Sequence, residues 1–228
     1  MFSGGTSPRN SWSGTIAQRN KLNGLCLIID QDTLRVGPEQ AASQAIDAGV
    51  RFFQYRSKNG SRRSIYEISL RLAGLARSAG ALFIVNDHAD IAAAVEADGV
   101  HLGQDDLPIE YARTLLGSGG IIGISTHSPE QAKAAEKDGA DYIGFGPVFA
   151  TPTKDAGAAQ GIDNLKIIRQ AVGIPVFAIG GISHANVGDV IRTGADGAAV
   201  ISAVLSAFDI RRAAEEMVRM VQETKAKR

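Results

Sequence analysis

The chain contains 228 residues, with 24 Lys and Arg balanced by 24 Asp and Glu. Hydrophobic residues make up 44% and charged residues 21%, which supplies enough apolar surface for a buried core and excludes a mainly disordered protein. Because the formal net charge is +0, the chain lacks a long-range field for polyanions. General nucleic-acid binding is therefore disfavoured, whereas a local phosphate site is not.

The single cysteine and the lack of long apolar segments predict a cytoplasmic protein with no membrane partner. Cys26 excludes an internal disulfide and a Cys-based zinc site, and it lies in an apolar run where an inert buried thiol is expected. No apolar segment approaches the about 20 residues of a membrane-spanning helix, and residues 1–20 lack the apolar centre of a secretory signal. We expect residues 1–20 to form a flexible tail and residues 21–228 to form one domain.

A sequence pattern recurs at about the spacing of one βα unit. It consists of an Ala-rich helical stretch, a Gly or small acidic cluster, and a short apolar run. It is found around Asp47, Ala97, Gly139 and Gly194. Gly readily ends a helix, and nearly continuous apolar runs are typical of parallel strands covered on both faces. In chain order the predicted elements are strand Leu25–Ile29, helix Glu39–Ala48, strand Phe52–Tyr55, helix Arg62–Ser78, strand Leu82–Val85, helix Asp90–Ala97, strand Val100–Leu102, helix Pro108–Leu116, strand Ile121–Ile124, helix Pro129–Lys137, strand Tyr142–Phe145, helix Asn164–Ala171, strand Val176–Ile179, helix Asn186–Arg192, strand Ala198–Ile201 and helix Phe208–Thr224.

The strict alternation of eight strands and eight helices predicts an α/β fold, namely a single-domain (β/α)8 TIM barrel. An open doubly wound sheet is the alternative, because the predicted fourth strand is short. No composition break or Pro/Gly linker interrupts residues 21–228, so they are predicted to form one catalytic domain. In a TIM barrel the chemistry lies in the loops that follow the carboxyl ends of the strands.

Cations follow the predicted second strand. Gln54, Arg56 and Lys58 alternate along an extended segment, so their side chains are expected to project to the same side. A planar Arg fork beside a flexible Lys suits the oxygens of a phosphate or diphosphate. The pair alone would better fit a solvated loop with surface ion pairs. Lys154, after the sixth strand, would join them across the mouth of the barrel.

Two acidic residues follow neighbouring predicted strands. Asp87 comes after the third strand and Asp106 after the fourth, so in a barrel they could share one Mg²⁺, which takes few carboxylates and completes its shell with waters and phosphate oxygens. Alternatively, each could cap the helix that follows it. The combination with three cations favours the metal–diphosphate interpretation.

Small and hydroxyl-bearing residues follow the last strands. Gly181 after strand seven and Ile201 and Ser202 after strand eight lie where barrels commonly bind a phosphate, and Thr151 and Thr153 add hydroxyl donors. His101 fits either a core histidine or an active-site donor. The sequence has no nucleotide-binding Gly-rich motif and no nucleophile elbow, so a nucleotide enzyme or a triad hydrolase is unsupported.

Taken in order, these segments resemble the thiamine phosphate synthase family along nearly the whole chain after about Lys21. The resemblance rests on Gln54-x-Arg56-x-Lys58, Asn86-Asp87, Gly99-Val-His101-Leu-Gly-Gln104-x-Asp106, Ser125, Thr151-x-Thr153-Lys154, Gly180-Gly181-Ile and Ile201-Ser202. It implies a TIM-barrel transferase that joins 4-amino-2-methyl-5-hydroxymethylpyrimidine diphosphate to a thiazole phosphate. The products would be thiamine phosphate and diphosphate, and the cofactor would be Mg²⁺.

The resemblance also assigns expected roles to individual residues. The pyrimidine diphosphate would be held by Gln54, Arg56, Lys58, Asn86, Ser125 and Lys154, and the thiazole phosphate by Thr151, Thr153, Gly181, Ile201 and Ser202. Asp87 and Asp106 would bind the metal, and we add His101 to the substrate-binding set. The expected catalytic residues are Lys154, Arg56, Lys58 and Ser125. The chain departs from the family at His88, where Arg is frequent, and at Cys26, where Tyr is frequent.

The expected mechanism is a dissociative substitution. Mg²⁺ and the cations would stabilise the departing diphosphate, while the electron-rich aminopyrimidine tolerates a transient carbocation that the thiazole nitrogen attacks. Two alternatives are a thiazole tautomerase on a similar barrel and a non-catalytic phosphate-ligand sensor. The tautomerase does not need both carboxylates together with the diphosphate cations, and Mg²⁺-dependent diphosphate release would separate the synthase from either alternative. The sequence leaves open whether the chain forms a homo-oligomer.

Overall fold

A closed eight-stranded parallel barrel is the centre of the computed structural model, which describes residues 21–151 and 157–228. Each strand pairs in parallel with its neighbour in the chain, and the eighth strand closes the barrel against the first. The predicted TIM barrel is therefore confirmed, and the open doubly wound sheet is wrong. The strands are β1 (Gly24–Asp30), β2 (Phe52–Arg56), β3 (Leu82–Asn86), β4 (Gly99–Leu102), β5 (Ile121–Thr126), β6 (Tyr142–Phe145), β7 (Val176–Ile179) and β8 (Gly197–Val200).

Helices follow each strand within the described residues. They are α1 (Pro38–Asp47), α2 (Arg62–Ser78), α3 (Ala89–Ala94), α4 (Ile109–Leu116), α5 (Pro129–Lys137), α6 (Gly161–Ala171), α7 (Val187–Arg192), α8 (Ser202–Leu205) and α9 (Ile210–Ala226). None of the helices in the described ranges is both long and apolar enough to cross a membrane. The predicted tail, residues 1–20, lies outside the described residues.

The sequence-based boundaries differ from the structure where a single residue or a single turn decides them. Helix α3 ends at Ala94 rather than Ala97, because Glu96 adopts a left-handed conformation with φ 52°. Helix α8 was missed, since four residues are too few to show a helical period.

Two apolar layers hold the barrel together. Alternate residues of each strand face the surrounding helices, and the others fill the interior, where Cys26, Phe52, Tyr142 and Phe177 belong to one cluster. The three aromatic rings meet edge to face, with centroids 5.2 to 5.7 Å apart. Burial raises the pKa of the Cys26 thiol, as expected of an inert interior cysteine. The interior is thus a packed apolar floor beneath the carboxyl ends of the strands.

A buried hydroxyl on α2 provides a test of this packing. Within residues 21–151 and 157–228, Ser69 Oγ is buried without a hydrogen-bond partner, whereas Ser78 on the same helix is exposed and its hydroxyl donates to Gly74 O at 3.0 Å. Ser69→Ala should raise the free energy of unfolding by about 1 kcal/mol more than Ser78→Ala, because it removes a desolvated polar group. Urea unfolding of both variants measures the difference, and equal effects would contradict the assignment.

Candidate active site

Arg56 is held at the rim of the barrel by an acid that the sequence analysis did not single out. Arg56 ends β2 and lies in register with Asp30, which ends β1. The guanidinium donates through Nη1 to Asp30 Oδ2. The Asp30 side chain is only 5% exposed, and the other oxygen of its carboxylate accepts from the Asp32 N–H at 3.1 Å and the Thr33 hydroxyl at 3.3 Å. Asp30 therefore fixes the direction of the Arg56 fork.

The Gln54 side chain, two residues before Arg56 on β2, is hydrogen-bonded to Asn86 at the end of β3. Its Nε2 donates to Asn86 Oδ1 at 2.6 Å, and the Gln54 side chain is buried. Gln54 lies two residues along β2 from the interior residue Phe52, while Tyr55 packs in the layer between the sheet and the helices. The predicted alternation along this strand is confirmed, and it places the amide pair directly above the apolar floor.

The two candidate metal ligands lie close together. Asp87 follows β3 with φ 65°, and its Oδ2 accepts from Lys58 Nζ at 2.8 Å. Asp106 Oδ2 accepts from the Gly103 N–H at 2.6 Å in the loop after β4. Burial raises the pKa of the Asp106 carboxyl, and the nearby Asp87 charge raises it further, against the opposing effects of the Gly103 N–H and Lys58. The Asp106 carboxylate therefore lies within electrostatic reach of Asp87.

The capping alternative for these two acids is wrong. The N-cap of α3 is His88 and that of α4 is Pro108, and neither helix has a side-chain cap hydrogen bond. Within the described ranges, no group of three or more His, Cys, Asp and Glu side chains could hold a metal ion. Two carboxylates with hard oxygen donors suit Mg²⁺, which retains waters and takes substrate oxygens for its remaining positions.

A buried histidine connects three strands inside the barrel. His101 on β4 has Nδ1 2.9 Å from the Tyr142 hydroxyl on β6 and Nε2 2.9 Å from the Ser125 hydroxyl on β5. Burial lowers the pKa of His101 to about 4, although the Asp87 charge acts in the opposite direction. The imidazole is therefore uncharged at neutral pH and is at once buried and within reach of the site.

Two glycines make room for this histidine. A Cβ at Gly123 would lie 2.5 Å from His101 Nδ1 and closer still to the Tyr142 ring, and one at Gly144 would lie 3.2 Å from His101 Cε1. Such distances exclude a side chain at position 123 without movement of the rings. The neighbouring strands thus provide space that the sequence pattern of β5 and β6 did not reveal.

The remaining predicted residues are distributed around the same rim. Thr151 follows the loop after β6 and is half-buried, whereas Thr153 and Lys154 lie outside the described residues. Gly181 has φ 64°, and a Cβ there would lie 2.5 Å from Ala150 O, so the β7 loop requires glycine. Ile201 is the N-cap of α8, and Ser202 is its first residue. Among the described residues, the predicted set therefore lies at the ends of β2 to β8.

Sequence reasoning missed three residues that contact this set. Asp30 lay one residue beyond the predicted end of the first strand. An acidic residue at the carboxyl end of a barrel strand is itself a sequence signal for a site residue. Tyr142 was assigned to an apolar strand, where its hydroxyl could not be distinguished from a core ring. Gln104, quoted only as part of a motif, donates through Nε2 to Ser125 O at 2.6 Å.

The carboxyl ends of the strands thus carry paired carboxylates, two anchored cations and a buried chain of hydrogen bonds. A closed parallel barrel with such a rim belongs to the class of TIM-barrel enzymes, whose sites lie at this end. The sequence model of the family described as thiamine monophosphate synthase matches residues 25–204.

Individual proteins show the same similarity. The thiamine-phosphate synthase of Chloroflexus aurantiacus is 51% identical over 184 residues, covering 80% of this chain and 85% of that protein. That of Pyrococcus furiosus is 47% identical over 206 residues, covering 90% of this chain and 97% of that protein. A solved thiamine phosphate pyrophosphorylase structure from P. furiosus has a TM-score of 0.83 at 45% identity, covering 91% of this chain and 98% of that one.

The chain belongs to the thiamine monophosphate synthase family and is a transferase. The family that the sequence motifs resemble is therefore confirmed. The non-catalytic sensor and the isomerase are set aside, because the similar proteins are synthases and cover most of the chain.

The close packing around Gly123 can be tested by adding one methyl group at that position. Gly123→Ala should lower the free energy of unfolding by about 3 kcal/mol or more, because the Cβ overlaps His101 and Tyr142 in a closed interior. Gly74→Ala is the control, since a Cβ on that exposed position of α2 meets nothing within 4 Å. It should stabilise the helix by about 0.5–1 kcal/mol. Chemical denaturation measures both, and an unchanged Gly123→Ala variant would contradict the packing.

Proposed function

We propose that the protein condenses 4-amino-2-methyl-5-hydroxymethylpyrimidine diphosphate with a thiazole phosphate, giving thiamine phosphate and diphosphate in a Mg²⁺-dependent reaction. The observation that carries the proposal is the close approach of Asp87 and Asp106, with Lys58 bound to the first of them. A cation and two carboxylates at one point of the rim suit a metal–diphosphate substrate better than a monophosphate alone.

Asp87 and Asp106 would hold the Mg²⁺. Their mutual repulsion, which contributes to the raised pKa of Asp106, would be relieved by a divalent cation. When bound, the ion would act as a Lewis acid that neutralises charge on the leaving diphosphate. Lys58, which donates to Asp87 at 2.8 Å in the free protein, would bind the oxygens of the same diphosphate.

Arg56 would bind the diphosphate from the adjacent strand. Its guanidinium side chain is 24% exposed while its partner Asp30 is 5% exposed, so one edge is anchored and another remains accessible. A preorganised charge costs no reorganisation as negative charge develops on the leaving group. Lys154 is assigned the same role through the family resemblance.

The amide pair suits the aminopyrimidine. With Gln54 Nε2 committed to Asn86 Oδ1, the Gln54 carbonyl can accept and the Asn86 amide can donate. An aminopyrimidine presents both donors and acceptors along its edge, so the pair would fix its orientation. His101 lies in register beside Asn86, and its Nε2 is 2.9 Å from the Ser125 hydroxyl. Thr151, Thr153, Gly181, Ile201 and Ser202 are proposed to hold the thiazole phosphate.

A dissociative substitution requires binding and orientation rather than a protein nucleophile. The buried Cys26 thiol has a raised pKa and stays protonated, and His101, with a pKa of about 4, is a weak base. Neither residue suits nucleophilic or strong general-base catalysis. The protein would instead exclude water from the cationic pyrimidine by means of the apolar floor.

The metal role can be tested by reconstitution. Purified protein, Mg²⁺ and both substrates should give thiamine phosphate by mass spectrometry, with diphosphate released only when all three are present. Asp106→Asn should raise the Mg²⁺ concentration for half-maximal rate by at least about tenfold, because a ligand is lost. Asp105→Asn, at the exposed neighbouring position, is the matched control and should change it less than about twofold. Equal effects, or full activity with chelator, would refute the metal site.

The bond-breaking step can be tested with a modified substrate. Fluorination of the pyrimidine methyl group destabilises a carbocation, so single-turnover C–O cleavage should slow by at least about 10²-fold, a barrier increase of about 2.7 kcal/mol. Rapid-quench measurement of diphosphate release reports the step. An unchanged rate would contradict a dissociative mechanism while leaving the overall reaction intact.

A further inference from the structure

Three polar side chains form a continuous chain of hydrogen bonds from the middle of the barrel to its catalytic rim. Tyr142 and His101 both lie in register with Gly123, and Ser125 lies two residues nearer the carboxyl end of β5. His101 bridges them with two contacts of 2.9 Å. His101 and Tyr142 are 8% and 3% exposed, whereas Ser125 is half-buried near the carboxyl end of β5. The chain therefore has one enclosed end and one accessible end.

The surroundings of Tyr142 fix the direction of its hydroxyl proton. The ring packs against Phe52 and Phe177, and among the described residues the hydrogen-bond partner of its hydroxyl is His101 Nδ1. A buried O–H without an acceptor is unfavourable, so the hydroxyl donates to Nδ1. An uncharged imidazole has only one N–H, which must then be on Nε2, where it donates to Ser125 Oγ.

This direction determines what Ser125 can offer to a ligand. With its Oγ already accepting from His101, Ser125 retains its own proton for another acceptor. In the opposite tautomer, Nε2 would be the acceptor, and the Ser125 hydroxyl would donate its hydrogen bond to the histidine. The accessible end of the chain thus becomes a hydrogen-bond donor aimed into the site.

We propose that Tyr142 is a positioning residue that, through His101, presents the Ser125 hydroxyl as a donor to the pyrimidine diphosphate. The proposal rests on the proposed function for the identity of that acceptor. Its structural basis is independent of it, because Gly123 and Gly144 provide the clearance that the two buried rings require.

The tautomer can be measured directly in the full-length protein without substrate. In ¹⁵N-histidine spectra, the His101 signals, assigned by their loss in His101→Gln, should show a protonated Nε2 and an unprotonated Nδ1. Tyr142→Phe keeps the ring and removes the hydroxyl, so Nδ1 loses its donor and the tautomer should shift toward a protonated Nδ1. A protonated Nδ1 in the unmodified protein would overturn the proposal.

Kinetics separate positioning from packing. Tyr142→Phe should lower kcat/KM for the pyrimidine diphosphate by about tenfold or more, while KM for the thiazole phosphate stays within about twofold. In a Ser125→Ala background, the same change should have no further effect, because the donor that it orients is already gone. Tyr111→Phe, on the exposed face of α4, is the matched control and should leave both parameters unchanged.

The remaining outcomes are decisive. Additive losses in the double variant, or equal effects on both substrates, would show that Tyr142 acts by packing and would overturn the proposal. If the unmodified protein makes no thiamine phosphate, the proposed function fails. The tautomer measurement would then still decide whether Ser125 is presented as a donor.

Discussion

The closed barrel imposes one constraint on which the site depends: alternate residues of all eight strands must share a single interior. Phe52, Tyr142 and Phe177 fill its floor with edge-to-face contacts. Polar side chains that border this floor are therefore removed from water on that side. Burying such groups is costly unless each has a partner, so Gln54 and His101 are hydrogen-bonded across strands. The apolar packing of the floor thus requires the polar side chains beside it to be hydrogen-bonded.

Charge at the rim is organised by the same geometry. Asp30 and Arg56 end adjacent strands in register, and Lys58 reaches across to Asp87. The acids anchor the cations in the free protein, and under the proposed function an arriving metal and diphosphate would replace part of these contacts. Such exchange keeps the cations oriented before the substrate binds, which is the condition for electrostatic stabilisation of a leaving group.

Several helices and strands show how much of the fold local sequence patterns predict. Helices Arg62–Ser78 and Pro129–Lys137 have the predicted ends, and strands Tyr142–Phe145 and Val176–Ile179 have the predicted bounds. Their apolar runs and helix-start signals are local, so the sequence contains them. Helix α8 was missed because one turn has no period, and the early end of α3 depends on the backbone conformation of Glu96. The roles of Thr153 and Lys154 remain predictions, since they fall outside the described residues.

The amino-acid sequence by itself determined the alternation of strands and helices, and with it the position of Gln54, Arg56, Asp87 and Asp106 at strand ends. Only the tertiary structure decided their partners. Asp30 and Arg56 are 26 residues apart, and His101 and Tyr142 are 41 apart. Such contacts depend on the register between strands and on the clearance at Gly123. Both are set when the barrel closes, and no spacing along the chain encodes them.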